Sequence, residues 1–359
     1  MQRCLDLAQN GMRASMPNPS VGAVLVYNDR IIGEGHTSPY GGAHGEVNCI
    51  NSVKETDRHL IPHATLYVSL EPCSHHGKTP PCCDLIIQHQ IKNIVVGTAD
   101  PHEKVSGNGI RKLKEAGNNV TVGVLEKECR ESNRRFFTFH EKLRPYIILK
   151  WAESADGFLS PNKRALDDSI VAPDNIEDKK PVWITNPYSR QLVHNWRSEE
   201  AAIVVGTQTV LDDNPQLDVR DWSGTNPVRV VLDQHNRISA NYFVKNLKIK
   251  TIILTAQHNL TNLDNLLYET VPFDERLPHT IMEVLHRHNL LSVIIEGGRQ
   301  TLQTFIDAGL WDEARVFKGT SIFNKGTKAP EFNAIANERH IIQQDQLLIY
   351  RNNDKHDNI

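Results

Sequence analysis

Residues 71–82 read EPCSHHGKTPPC, and Cys83 follows directly. Three of the chain's six cysteines therefore fall between positions 73 and 83, around a His-His pair and two prolines. The apolar run ATLYVSL just upstream reads as a buried strand. Just downstream, Cys82 follows Pro80-Pro81 and opens the helix-like run CCDLIIQHQ. A redox switch, a structural clip and a catalytic metal centre would each use such sulfur differently, and the surrounding sequence decides between them.

The totals narrow the choice. The chain has 359 residues, long enough for two domains that each bury a core. It carries 40 Lys+Arg against 43 Asp+Glu, net −3. Neither half has the basic excess of a nucleic-acid binder, so no nucleic-acid partner is expected. No apolar run approaches 18 residues, so no membrane partner is expected. The start, MQRCLDLAQNGMRAS, lacks the apolar core of a secretory signal. Cys4, Cys49, Cys73, Cys82, Cys83 and Cys129 are too few and too uneven for a disulfide scaffold. A reducing cytoplasm fits them, and there clustered cysteine points to metal or catalysis.

Outward from the cysteine cluster, the pattern alternates. RCLDLAQNGMRA reads as an amphipathic helix, and VGAVLVYNDRIIGEGH as a hairpin turning at Asn28-Asp29. GEVNCINSVKE is helical, NIVVGTAD a strand, GIRKLKEAG a helix and NVTVGVL a strand. KECRESNRRFFTFHEKLRP reads as one helix running into a linker at Arg144-Pro145. A second run holds strands YIILKWAES, AAIVVGT, VRVVLD, TIILT, LSVIIEGG and EARVFKG, and helices NPYSRQLVHNWRSEE and TLQTFIDAGL. Strands alternating with helices give two α/β domains, 1–143 and 145–359. Ser160–Pro181 reads as a long polar loop and the tail RNNDKHDNI as a fraying end.

Beside the cluster, AHGE supplies His44 and Glu46. One imidazole and the thiolates of Cys73 and Cys82 give zinc three protein ligands and leave a fourth position for water, the catalytic rather than the structural pattern. Residues two apart on a helix point ~200° apart. His44 and Glu46 can therefore face one ion only where a helix begins. A helix start also favours the Cys82 thiolate. H-x-E followed by P-C is the zinc-deaminase arrangement, in which the glutamate shuttles protons and binds no metal. Here eight residues separate the two cysteines instead of the usual two. The insert SHHGKTPP carries a cation and a hydroxyl suited to a substrate phosphate.

With NPSVGAVLV upstream, this combination resembles the bifunctional deaminase/reductase family of riboflavin biosynthesis. The resemblance implies a cytidine-deaminase-like three-layer α/β/α domain with one Zn2+ on His44, Cys73 and Cys82, Glu46 as proton carrier, and Asn18, His75, Lys78 and Thr79 on the substrate. LKWAESADG, WITNPYSRQLVHNWR, VGTQTVLDDNPQLDVR and IIEGGRQTL match the family's reductase blocks in order. They imply a dihydrofolate-reductase-like α/β domain that uses NADPH. Lys150, Pro181, Arg197, Leu217, Arg220 and Glu296 would then meet the phosphoribosyl substrate, with Arg197 and Arg220 suited to forking a phosphate. Glu153, Trp183, Thr209, Asp213 and the turn of Gly298, Arg299, Gln300, Thr301, Leu302, Gln303 and Thr304 would line the nucleotide. Read from its residues alone, that turn is a glycine pair after a strand, opening a helix whose free N–H groups suit a diphosphate. The implied substrate is a small phosphoribosylaminopyrimidine, and family analogy implies a homodimer through the second domain.

Blander readings stand beside these. Cys83 reads as a buried helix residue, since adjacent side chains diverge. Cys4, Cys49 and Cys129 read as core, and NRRFF as a solvated helix face with packed phenylalanines. The competing functions are a structural zinc module in a nucleic-acid-binding or scaffold protein, a deaminase acting on tRNA or free nucleosides, and a second domain that only dimerises.

Overall fold

The computed structural model describes residues 1–77, 79–102, 106–162 and 182–352, which form two compact units, Met1–Arg144 and Pro145–Ile359. Lys78, Pro181 and nearly all of the loop read at Ser160–Pro181 lie outside the described residues, as does the tail from residue 353.

The first unit runs α1 (Gln2–Gln9), β1 (Gly22–Tyr27), β2 (Arg30–His36), α2 (Gly45–Asn51), β3 (Thr65–Leu70), α3 (Cys82–Gln88), β4 (Asn93–Thr98), α4 (Asn108–Glu115), β5 (Asn119–Val122), α5 (Glu126–Ser132) and α6 (Arg134–Glu141). Its sheet has the order β2-β1-β3-β4-β5. The hairpin turns where expected, with Asn28 at φ 47° and Asp29 at φ 58°, the pair of left-handed residues that a tight two-residue turn requires. β3, β4 and β5 are parallel, so their C-terminal ends share one rim with the loops that follow.

Two expected helices differ. α1 stops at Gln9, and the remainder of RCLDLAQNGMRA is turns. The single helix expected between Lys127 and Arg144 is broken at Asn133, whose backbone leaves helical values at φ −110°, ψ 26°. The cause is a buried pairing across 113 residues. The amide of Ser20 donates to Asn133 Oδ1 and Asn133 Nδ2 donates to the carbonyl of Ser20, both at 2.9 Å. The break also turns Phe136, Phe137 and Phe139 into the core. NRRFF is less solvated than expected, since Arg135 is buried too.

The second unit runs β6 (Tyr146–Glu153), β7 (Phe158–Pro161), α7 (Pro187–Glu199), β8 (Ala202–Gly206), α8 (Thr207–Asp213), β9 (Val228–Leu232), β10 (Thr251–Thr255), β11 (Leu266–Thr270), α9 (Leu277–Arg287), β12 (Ser292–Gly297), α10 (Arg299–Asp307), β13 (Glu313–Lys318), β14 (Gly326–Lys328), β15 (Glu338–Ile342) and β16 (Asp345–Arg351). Its sheet order is β11-β10-β9-β8-β12-β6-β13-β16-β15, parallel from β11 to β13 and antiparallel beyond. A sheet covered on both faces gives near-continuous apolar strands such as AIVVG and TIILT. Alternate residues duly feed two cores, Val204 and Ile295 one, Val205 and Ile294 the other.

α7 begins as its sequence dictates. Asn186 Oδ1 accepts from the amides of Tyr188 and Ser189, and Pro187 takes the first helical position, where no N–H is needed. β7, α8, α9, β11, β14 and the β15–β16 hairpin lie outside the pattern expected from sequence. Ser160 and Pro161, expected in the long polar loop, instead end β7.

Asn133→Ala strands both polar groups of Ser20 in the core. It is expected to cost the first unit about 2–3 kcal/mol in urea unfolding and leave the second unit's transition in place.

Candidate functional site

β3 ends at Leu70, and the chain passes through Glu71-Pro72 to Cys73. α2 and α3 both start at the same rim. His44 is the N-cap of α2, in extended backbone, so its ring leaves the helix axis while Glu46 lies in the first turn. Cys82 is the first residue of α3, behind an extended Pro81. His44 Nδ1 lies 3.5 Å from Cys73 Sγ and 3.4 Å from Cys82 Sγ, and all three donor atoms lie within 4.8 Å of one another. Bonds of ~2.0–2.3 Å to a tetrahedral zinc place ligands about 3.3–3.8 Å apart, so the set fits that ion.

Cys83 is not part of the set. Its Sγ turns away to donate to the carbonyl of Pro72 at 3.2 Å. Cys4, Cys49 and Cys129 are wholly buried, as read from sequence. His75 is exposed, Thr79 is half-buried, and Asn18 sits in the segment entering β1 with its amide on Ser15.

The electrostatics suit a metal centre. A hydrogen bond from Cys82, and then His44, draws the Cys73 thiol down to about 4, while Cys82 is pushed upward, chiefly by its bond to Cys73. His44 is raised chiefly by its bond to Cys73. Glu46 is 3% exposed, and burial pushes its carboxyl up to about 7. A carboxyl near neutrality can both take and return a proton.

The second unit holds a cavity of about 1310 Å3. That exceeds the ~300–1,000 Å3 of a single-ligand pocket, leaving room for a dinucleotide and a substrate together. Strand register builds one end. Leu149 pairs with Ile295, so Lys150 and Glu296 stand side by side where β6 and β12 emerge. Arg197 from α7 grips Glu296 with two bonds, Nε at 3.2 Å and Nη2 at 2.8 Å, and Lys150 Nζ lies 3.9 Å from it. Burial alone would raise the Glu296 carboxyl; Arg197 and then Lys150 overcome it and hold it at about 2. Burial lowers Lys150, with Glu296 opposing. The Arg197 fork read as a phosphate clamp is thus engaged by a carboxylate. Arg220, more exposed, bonds Asp218 at 2.6 Å.

At the β12–α10 turn Gly297 takes φ +109°, open to glycine alone without strain. Arg299 Nε is buried there with no acceptor among the described residues, which suits an absent anion. Trp183, Thr209, Asp213, Gly298, Gln300, Thr301, Gln303 and Thr304 also line the cavity. Leu217 reaches it, but its side chain packs into the core. Two expected nucleotide contacts do not line it. Leu302 is wholly buried in the sheet core, and Glu153 bonds Trp151 Nε1 at 3.0 Å and Lys318 Nζ at 3.0 Å. Arg190, His194, Gln234, His235 and Arg237, not expected at the site from sequence, also line the cavity. The spacing of Arg190, His194 and Arg197 along α7 was a usable signal, since i, i+4 and i+7 share one helix face.

These two sites define a zinc-type pyrimidine deaminase joined to a reductase. Residues 1–98 match the cytidine and deoxycytidylate deaminase zinc-binding region, and residues 145–323 match the RibD C-terminal domain. The chain is 37% identical to riboflavin biosynthesis protein RibD of Aquifex aeolicus over 91% of this chain and 87% of that one. It is 31% identical to RibD of Escherichia coli over 88% and 86%. A solved diaminohydroxyphosphoribosylaminopyrimidine deaminase/5-amino-6-(5-phosphoribosylamino)uracil reductase of Thermotoga maritima superposes with a TM-score of 0.85 at 34% identity, covering 98% and 97% of the two chains. The chain belongs to the RibD family of riboflavin biosynthesis proteins.

The Glu296 carboxyl lies below its ordinary 4.5 when folded. It therefore contributes stability that is complete above about 4.5 and lost as pH falls through 2. Glu296→Gln is expected to lower stability most at neutral pH, with the gap to the parent closing across that acid window in urea titrations.

Proposed function

We propose that His44, Cys73, Cys82 and Glu46 carry out a hydrolytic deamination, and that the cavity of the second unit carries out the reduction that follows. The chain is a bifunctional enzyme of riboflavin biosynthesis, a deaminase and a reductase that use Zn2+ and NADPH. The substrate of the first step is the diamino-pyrimidinone bearing a phosphoribosylamino group. The observation that carries the reading is the convergence of one imidazole and two cysteine sulfurs, from the starts of α2 and α3 and the loop after β3, with a buried carboxyl in the first turn of α2.

The first reaction exchanges a ring C–NH2 for C=O, consuming water and releasing ammonia. Bound zinc acidifies the attacking water. Glu46 accepts the water's proton and delivers it to the departing amine, and its burial keeps competing water out. Asn18, His75, Lys78 and Thr79 hold the substrate; Lys78 and Thr79 stand in the insert suited to its phosphate.

The second reaction opens the ribosyl unit to ribityl. NADPH supplies the hydride. Lys150 and Glu296 orient the sugar, Arg197 fixes Glu296, and Arg220 meets the phosphate beside Leu217. The turn of Gly298 to Thr304 takes the diphosphate, and Trp183, Thr209 and Asp213 flank the nucleotide. Preference for NADPH over NADH falls to Arg237, after β9. Lys150, Arg197, Arg220 and Arg299 each face a carboxylate and Arg190 donates to the Thr185 carbonyl, whereas the guanidinium of Arg237, whose backbone N–H donates to Asp233, has no partner among the described residues. The enzyme works in the cytoplasm as a homodimer through its second domain. All six reduced cysteines fit that compartment, and size-exclusion chromatography with light scattering tests the dimer.

Purified protein given the diamino substrate is expected to release ammonia and then oxidise NADPH. A chelator should stop the first step and spare the second when deaminated intermediate is supplied. Glu46→Gln should keep its zinc and lose on the order of 10²–10⁴-fold in ammonia release; full turnover would refute the proton role. Arg237→Ala is expected to weaken NADPH binding about tenfold or more, read by cofactor fluorescence, with NADH binding unchanged. Equal weakening of both would remove Arg237 from that role.

A further inference from the structure

Glu71 opens the cysteine stretch, yet neither the zinc set nor the proton relay uses it. It is 4% exposed. Its carboxylate accepts four backbone N–H groups: Oε2 from Asp100 at 3.1 Å and Gly107 at 3.0 Å, Oε1 from Gly109 at 2.9 Å and Ile110 at 3.1 Å. The first donor lies two residues past the end of β4, and the last two lie in the first turn of α4. One side chain thus grips both ends of segment 100–110 and the start of a helix. Free N–H groups and the helix dipole favour an anion there.

What this grip presses against is the peptide that carries a zinc donor. Gly109 lies so close under Pro72 that a Cβ there would sit 2.0 Å from the Pro72 carbonyl oxygen. From α3, the Cys83 thiol reaches that carbonyl at 3.2 Å and the carbonyl of Gly109 at 3.6 Å, and the Cys83 amide donates to the carbonyl of Cys73 at 3.1 Å. The Cys82 amide points at Cys73 Sγ at 3.3 Å. Pro72-Cys73 is therefore clamped between α3 and α4, and only the α4 side depends on Glu71.

We infer that Glu71 is a positioning residue for the deaminase: it seats α4 against Pro72 and so fixes Cys73 Sγ for the metal. The inference rests on the deaminase reading above. With an amide in place of the carboxylate, an NH2 group faces N–H donors, which lose their acceptor in a buried site. α4 then lifts from Pro72, and Cys73 gains freedom. Loss of a group that orients a metal ligand costs ~10–100-fold in metal affinity or activity.

The test uses the full-length enzyme, whose reductase serves as an internal control of folding. The parent and Glu71→Gln are compared for zinc release to an excess of chromophoric chelator, for kcat and KM of ammonia release, for NADPH oxidation, and for amide exchange at Gly107, Gly109 and Ile110. Expected for Glu71→Gln are faster exchange at those amides, zinc release about tenfold or more faster, and kcat down by about tenfold or more. KM should change far less than kcat, and the reductase should be unchanged. Zinc release and kcat per zinc-loaded chain within about twofold of the parent, despite faster exchange, would overturn the inference and leave Glu71 a helix cap only. If the glutamine variant does not fold, Glu71→Asp keeps the charge but shortens the reach. It should show the same pattern at smaller size, and parent-like zinc release would overturn the inference equally. A parent that binds no zinc and releases no ammonia would instead refute the deaminase reading, and the inference with it.

Discussion

Two sulfurs and an imidazole cannot be buried within bonding distance of one another without somewhere for their charge to go. In the first unit this constraint governs the local architecture. Each donor sits where a strand has just ended or a helix is about to begin, the places where a chain can turn a side chain inward and offer unpaired N–H groups to a negative atom. The sheet exists, from the site's standpoint, to bring those junctions to one rim. The long insert between the cysteines is tolerated because it leaves from that rim and returns to it.

The second unit solves the opposite problem. Its charged groups are of both signs and are arranged to cancel. A carboxylate held ionised by an arginine and a lysine gives a fixed, strongly polar wall inside an otherwise apolar sheet. Such a wall has no need to reorganise when a polar sugar arrives, which is how preorganised charge helps a reaction. The same parallel-strand logic applies: Lys150 and Glu296 are neighbours because their strands are in register, and Arg197 reaches them across the helix face.

The candidate metal set of His44, Cys73 and Cys82 was legible from sequence because metal chemistry restricts residue type and because Pro80-Pro81 marks the entry to α3. The strand pattern was legible where both faces are buried, as in AIVVG and TIILT. What escaped depends on distant partners. Nothing local in KECRESNRRFF announces a break at Asn133, since the group that causes it is Ser20. Nothing local shows that Arg197 would meet Glu296, nor that Glu153 would turn to Trp151 and Lys318. Helix α9, LPHTIMEVLHR, had adequate periodicity and a proline at its start, and went unread beside stronger strand signals.

The link between Ser20 and Asn133 also bears on how the protein can be divided. The region matching the deaminase zinc-binding model stops at residue 98, whereas the compact unit extends to Arg144. A fragment cut at the shorter limit would contain all three candidate zinc donors, yet it would expose the surfaces that Phe136, Phe137 and Phe139 cover and leave Ser20 without its mate. It would also lack α4, whose first turn steadies the Cys73 peptide. A piece meant to stand alone during synthesis or in a gene fusion therefore has to include α6, although all three candidate zinc donors lie at or before Cys82.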